Sequence, residues 1–246
     1  MSDLRRNAGE VTLVHSSDIH VDDGRIAAQH GGDGTGGLAA VLAYARDIAA
    51  DAVILAGDTF DNHMVNAATI ERAGRLLSEA ALPVVILPGN HDPVTADSVW
   101  SRGGYNQIPG IAILGMTDDG AIRLADGALE IWGNAHRDYL DMVPLRDPRP
   151  RTTRWQVCVG HGHYEPPETW HNPLRPSWLI SDEAIAATGA DYVALGHWDR
   201  PAQVGNGVVP AYYSGSPDWA KTVNRVILTG SGEVRVTRDQ LSLDPR

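Results

Sequence analysis

Cysteine is nearly absent: Cys158 is the only one in 246 residues. A single thiol excludes an intramolecular disulfide framework and any zinc or iron–sulfur site built from several cysteines. Long apolar runs are missing too, none approaching the roughly 20 residues of a membrane span. The stretch Met1–Glu10 is polar and lacks the apolar core of a signal peptide. A cytoplasmic protein with no membrane partner is therefore expected. Positive charge is scarce: Lys221 is the only lysine, Lys plus Arg number 20 against 31 Asp plus Glu, and the formal net charge is −11. A chain that tracks a nucleic-acid backbone usually carries a basic stripe, so this balance argues against unaided nucleic-acid binding. Acidic side chains do ligate cations, however, and bound cations can hold an anionic substrate where lysines are missing.

What is present is globular in composition, with 43% hydrophobic and 21% charged residues. A chain of this size buries enough surface to fold without a staple. It shows no internal repeat or low-complexity tract, and is read as a single domain over residues 1–246. Apolar runs Val11–Ser16, Asp51–Leu55 and Pro83–Leu87 read as strands. Between them, Leu38, Val41, Leu42, Ala45 and Ile48 recur at helical spacing, and a second helix is expected over roughly Asn66–Ala80. Strand, helix and strand at this spacing imply parallel strands with crossover helices, an α/β fold. Ile111–Leu114, Ala121–Leu124 and Leu129–Trp132 look like an antiparallel meander. Further strands are expected at Trp155–Val159, Tyr192–Leu195, Pro210–Ser214, Val223–Leu228 and Glu233–Thr237, with a helix over Ser181–Thr188.

The chemistry-bearing residues follow strands. The first three strands run into Asp18-Ile19-His20, Gly57-Asp58-Thr59-Phe60-Asp61 and Gly89-Asn90-His91-Asp92. Two later ones run into Gly160-His161 and Gly196-His197-Trp198-Asp199. Ligands of open α/β sheets collect beyond the carboxyl ends of strands. Each group alone is commonplace in solvated turns. Their conjunction is not, because Asp18, Asp58, Asn90, His161 and His197 follow one another at separations of 40, 32, 71 and 36 residues. The first two are lengths of single strand–helix–strand units. Five strands thus deliver carboxylate, amide and imidazole donors to one rim, enough for two divalent cations. Asp18 and His20 alternate in extended chain and can grip one ion, Asp58 can bridge, and Asn90, His161 and His197 supply neutral donors. A set without thiolate fits manganese, with iron, zinc or magnesium as alternatives.

These blocks resemble the signature motifs of the calcineurin-like metallophosphoesterase superfamily. Ser16-Ser17-Asp18-Ile19-His20, Gly57-Asp58-Thr59-Phe60-Asp61 and Tyr213-Ser214-Gly215-Ser216-Pro217 are most similar to its DNA repair exonuclease branch. The resemblance covers residues 11 to about 217. It implies a four-layer α/β/β/α sandwich with two mixed β-sheets and a dinuclear metal site. Asp18, His20 and Asp58 would bind one metal, and Asp58, Asn90, His161 and His197 the other. His91 would sit near the leaving group as general acid, oriented by Asp92.

One position departs from the family pattern Gly-His-x-His: the second His is Asp199. Asp199 is expected to ligate through oxygen, with His163 as the substitute. Trp198, His63 and His136 are candidate substrate-binding residues, and Arg137, Arg146, Arg149, Arg151 and Arg154 a candidate anion clamp. Trp170 and Trp178 are candidates for a lid or an oligomer contact. The expected activity is hydrolysis of phosphodiester bonds, of a small phosphoester or nucleotide, by metal-activated water. A DNA exonuclease-like nuclease is the alternative, disfavoured by the charge and by a chain that leaves no obvious room for the branch's DNA-capping domain. A metal-binding scaffold whose catalysis has lapsed at Asp199 is a third reading, against which intact Asp58 and His91 stand.

Overall fold

The computed structural model describes residues 9–22, 24–117, 120–138, 142–166 and 178–243. In chain order, its first half runs β1 (Val11–Ser16), α1 (Gly24–Gln29), α2 (Gly36–Asp47), β2 (Ala52–Ala56), α3 (Ala67–Ser78), β3 (Val84–Leu87), α4 (Val99–Gly103) and β4 (Ile111–Ile113). There follow β5 (Ala121–Leu124), β6 (Leu129–Gly133), β7 (Trp155–His161), β8 (His163–Tyr164), β9 (Leu179–Ile180) and α5 (Asp182–Ala187). The last elements are β10 (Tyr192–Gly196), β11 (Ala202–Val204), β12 (Ala211–Tyr213), α6 (Pro217–Ala220), β13 (Thr222–Leu228) and β14 (Val234–Gln240).

Twelve of the strands form two six-stranded sheets, in the orders β14-β13-β1-β2-β3-β4 and β11-β12-β10-β7-β6-β5, and β8 pairs with β9 in parallel. Both are mixed. β1, β2, β3 and β4 are parallel neighbours while β13 and β14 run antiparallel. In the second sheet β12, β10, β7 and β6 are parallel, with β11 and β5 antiparallel at the edges.

Strand alternation sorts the apolar residues into layers. Leu13, Ile54, Val85 and Leu87 face Ile131, Val157, Val159 and Ala194 across the two sheets. The opposite face of the first sheet, Val14, Val53, Leu55 and Ile86, packs on Leu38, Val41, Leu42 and Ala45 of α2 and Ile70, Ala73 and Leu77 of α3. Cys158, Val193 and Leu195 of the second sheet pack on Ile185 of α5. The result is the expected α/β/β/α sandwich. Asn66 caps α3, its side chain accepting from Thr69 N–H at 3.0 Å, and Ser181 caps α5 by accepting from Ala184 N–H at 3.2 Å. Ile70, Ala73 and Leu77 then form one face of α3, and full burial of a leucine side chain contributes roughly 1.5–3 kcal/mol.

The expected meander is split between the sheets. Ile111–Ile113 pairs in parallel with β3, whereas β5 and β6 pair antiparallel in the second sheet. Spacing alone did not separate these readings, because all three runs are short and either sheet accepts an apolar edge. Several short pieces escaped the sequence reading: α1, α4, α6, β11 and the pair β8–β9, each too brief to show a period.

Candidate metal centre

The five strand ends meet at one edge of the sandwich. The loops after β1 and β2 run alongside each other: Asp18 N–H donates to Gly57 O at 3.0 Å, His20 N–H to Asp58 O at 3.1 Å and Val21 N–H to Thr59 O at 2.9 Å. Four of the residues singled out from sequence sit in the left-handed region, Asp18 (φ 53°), His20 (50°), Asp58 (50°) and His197 (105°). Such conformations cost on the order of 1–3 kcal/mol each and persist only where surroundings enforce them. Here the ladder between the loops does so, with His197 N–H donating to both carboxylate oxygens of Asp18 at 3.1 and 2.9 Å. Two glycines make room. A Cβ at Gly57 would lie 2.0 Å from His161 Nδ1, and one at Gly89 would lie 2.2 Å from Asp58 Oδ1.

His161 is the pivot. Its Nδ1–H donates to Ala56 O at 2.9 Å, which directs Nε2 at Asp58 Oδ2 and Asn90 Oδ1, each 3.1 Å away. In a neutral ring that Nε2 carries a lone pair, so three acceptors face one another in a buried space. Either a second proton on the imidazole or a cation relieves that arrangement. Around it, ligand atoms of Asp58, His161 and His197 lie within 4.8 Å of one another, as do those of Asp18, His20 and Asp58. A third such group is His20, Asp61 and His91. His20 Nδ1 is buried without a hydrogen bond, 3.4 Å from Asp61 Oδ1. Converging carboxylate, amide and imidazole acceptors, with an orphaned imidazole nitrogen among them, fit divalent cations.

The buried charges of the site shift one another. Burial pushes the His161 pKa down, but the Asp58 carboxylate in contact with it, with Asp18 behind, overcomes this and holds it up at about 9. Asp58 is pushed up by burial yet held well below the usual carboxylate range by His161. Asp18 is raised, first by burial and then by Asp58 against the opposing charge of His161. His197 is pushed down to about 3 by burial and by His161.

Asp92 and His91 are not a pair. Both Asp92 carboxylate oxygens are occupied by main-chain donors, Phe60 N–H at 2.9 Å and Gly89 N–H at 2.7 Å. Asp92 therefore staples the β2 turn to the β3 turn. Burial and the Asp58 charge raise its pKa to about 7 against those two donors. The His91 ring is oriented instead by the Asp61 carbonyl, which accepts from Nδ1–H at 2.7 Å. His91 N–H donates to Asp58 Oδ1 at 2.9 Å. Asp61 stands in one of the strand-end motifs but received no role from sequence. Its position three residues after Asp58 was the available signal.

Comparison with known proteins shows the family. The family described as calcineurin-like phosphoesterase matches residues 11–201. The chain belongs to that family. The D component of the nuclease SbcCD from Bacillus subtilis (strain 168) is 26% identical over 247 residues, covering 83% of this chain. The chain spans 61% of that relative's length. The solved structure of TT1561 from Thermus thermophilus superposes with a TM-score of 0.58 at 13% identity, covering 92% of this chain and 98% of the other. The family is one of phosphoesterases, and nuclease activity is named for the longer Bacillus subtilis relative.

Several outer residues of the phosphoesterase lie elsewhere than expected. Asp199 is exposed, and its carboxylate belongs to none of the three converging groups found among the described residues. Its carbonyl accepts from Ser216 N–H at 3.1 Å, fixing the turn while the side chain faces solvent. His163 Nδ1 accepts from the Trp198 indole N–H at 3.1 Å, so that nitrogen is engaged. Trp198 stacks on Tyr213 at 4.3 Å, which covers one face of the indole. His136 is fully buried, behind His161 rather than lining an opening. Burial, then the His161 charge, pushes its pKa down to about 4. His63 is half-buried, its Nδ1 accepting from Val99 N–H at 3.4 Å and its carbonyl from Arg102.

The arginines do not assemble into a clamp. Arg151 makes a two-pronged contact with Asp191 at 2.8 and 3.1 Å, immediately before β10 and so at the end of the sheet opposite the site. Arg149 lies 3.8 Å from Glu130, Arg154 reaches Gly230 O, and Arg137 reaches Gly115 O at 3.0 Å. Arg146 sits 3.9 Å from Asp147. Trp178 packs edge-on to His197 at 5.9 Å, and Trp170 lies outside the described residues.

Proposed function

We propose that the protein hydrolyses phosphodiesters of small or nucleotide kind with two divalent cations, manganese foremost. The observation that carries this is the cross-sheet convergence of Asp58 Oδ2 and Asn90 Oδ1 on His161 Nε2, both at 3.1 Å. In this reading Asp18, His20 and Asp58 hold one cation, and Asp58, Asn90, His161 and His197 the other, with Asp58 between them. The first set is oxygen-rich, which favours a hard ion such as manganese. Bound there, two cations supply a lowered pKa for water and neutralisation of the phosphoryl oxygens.

The chain's own residues do the rest. The carbonyl of Asp61 holds the His91 ring through Nδ1–H, leaving Nε2 to carry a proton toward the departing oxygen. Asp92 keeps the turns bearing Asp58 and Asn90 in register through its two main-chain donors. Glycine at 57 and 89 lets His161 and Asp58 approach the main chain. A diester is favoured because it carries a single negative charge, and the arginines that would help neutralise a monoester dianion are engaged elsewhere.

The test is turnover by metal-stripped protein reloaded with manganese, on bis-p-nitrophenyl phosphate, p-nitrophenyl phosphate and linear DNA. Faster turnover of the diester than the monoester, abolished by chelator, is expected. A monoester preference, or no turnover with any divalent ion, overturns the reading. The name of the Bacillus subtilis relative supports a second reading, a nuclease, which release of nucleotides from linear DNA would favour over a small diester.

A further inference from the structure

His136 is fully buried behind His161, and the chemistry above leaves it unused. Its place follows from how β6 ends. The β6–β7 ladder stops at the pair Gly133–Val159, two residues short of His161. Beyond Gly133 the chain leaves the second sheet for the first. His136 N–H donates to Pro88 O at 3.2 Å, and Val94 N–H donates to His136 O at 2.8 Å. Those contacts tie its main chain to the segment that carries Asn90, His91 and Asp92.

The side chain turns back the other way. His136 Nε2–H donates to the main-chain oxygen of His161 at 2.9 Å, and the two rings meet edge-on with centroids 5.6 Å apart. Its Nδ1 is buried with no hydrogen-bond partner among the described residues. The carbonyl of His161 is thus the ring's hydrogen-bonding partner, and the imidazole supplies the donor that β6 no longer provides.

We propose that His136 is a positioning residue that fixes the separation of Asn90 from His161, and with it the affinity of the cation those two would share. The inference rests on the two-cation reading above. Asn90 comes from the first sheet and His161 from the second, and the interior between the sheets is largely apolar, its His15–Tyr192 hydrogen bond joining β1 to β10 and not the turn after β3. His161 is tied to β2 through Ala56 O, but that bond does not involve the turn bearing Asn90. Among the described residues, His136 joins that turn to the end of β7 through bonds on both sides of one residue. Outer partners of metal ligands typically account for 10–100-fold in affinity, because ligand geometry tolerates little displacement.

The experiment compares His136→Leu, which fills the space without a donor, with His136→Gln, whose amide N–H reaches about as far as Nε2–H. Metal-stripped proteins are titrated with manganese by calorimetry, and metal-free melting temperatures report folding. Two equivalents are expected in the unaltered protein. In His136→Leu one equivalent should keep its affinity while the other weakens about 10–100-fold, and His136→Gln should recover most of the loss. Should His136→Leu fail to fold, His136→Asn, whose amide is too short to reach the carbonyl, takes its place with the same expected weakening. Undiminished affinity for both equivalents without the donor overturns the proposal, as does equal weakening in His136→Gln with an unchanged melting temperature. Fewer than two equivalents in the unaltered protein would instead overturn the two-cation reading itself.

Discussion

Asp58 Oδ2 lies 3.1 Å from Nε2 of His161, a contact between the end of β2 in one sheet and the end of β7 in the other. Asp18, Asn90, His91 and His197 are arranged around it. Asp18 is held by His197 N–H, Asn90 faces the same Nε2, and Asp58 Oδ1 accepts from His91 N–H. One carboxylate therefore touches groups from both sheets and from the turn that carries the proposed acid.

Replacing Asp58 by Ala removes the group proposed to serve both cations. Both manganese equivalents should be lost after gel filtration, as read by elemental analysis. A fully loaded Asp58→Ala protein would contradict the bridging assignment.

His91→Ala should keep both equivalents and lose roughly 10²–10⁴-fold in kcat on an alkyl diester, the usual worth of a positioned proton donor. With a p-nitrophenyl leaving group, which departs without a proton, the loss should be much smaller. Equal losses on the two esters would refute the acid role.

Asp92→Asn separates stapling from orientation of His91. The amide keeps one acceptor and presents N–H to another N–H, so a buried main-chain donor goes unsatisfied at about 1–3 kcal/mol. The melting temperature should fall, while the leaving-group dependence of kcat stays that of the unaltered protein. A changed dependence with unchanged stability would return Asp92 to the proton transfer.

Asp199→Ala is expected to leave metal stoichiometry intact and stability within about 0.5 kcal/mol, as for an exposed side chain away from special features. Loss of one equivalent would make Asp199 a ligand after all.

His15 gives the pH dependence. It is buried between the sheets with Nδ1 2.8 Å from the Tyr192 hydroxyl, and burial pushes its pKa down to about 3 from 6.5. The folded chain therefore refuses a proton that the unfolded chain accepts. Its stabilising contribution is complete above about pH 6.5 and is lost progressively as pH falls toward 3, by up to about 1.4 kcal/mol per pH unit. Urea midpoints at pH 7 and pH 5 should differ less in His15→Gln than in the unaltered protein. Identical differences would show that His15 does not titrate in that window.

Much of this was legible in the order of residues. Strand runs ending in Asp18-Ile19-His20, Gly57-Asp58 and Gly89-Asn90 place donors at one rim because a parallel sheet puts all its carboxyl ends together. That logic also reached His161 and His197, and the sandwich followed from the motif resemblance. Strand ends and helix periods are local properties, so neighbouring residues suffice to reveal them. Only the tertiary structure decided that Ile111–Ile113 joins the first sheet, that Asp61 rather than Asp92 orients His91, and that Asp199 faces solvent. It alone put His136 behind His161 and sent Arg149, Arg151 and Arg154 to other partners. Each of those outcomes is a choice among hydrogen-bond partners distant in sequence, and a side chain takes whichever donor or acceptor the packed sheets leave within about 3 Å.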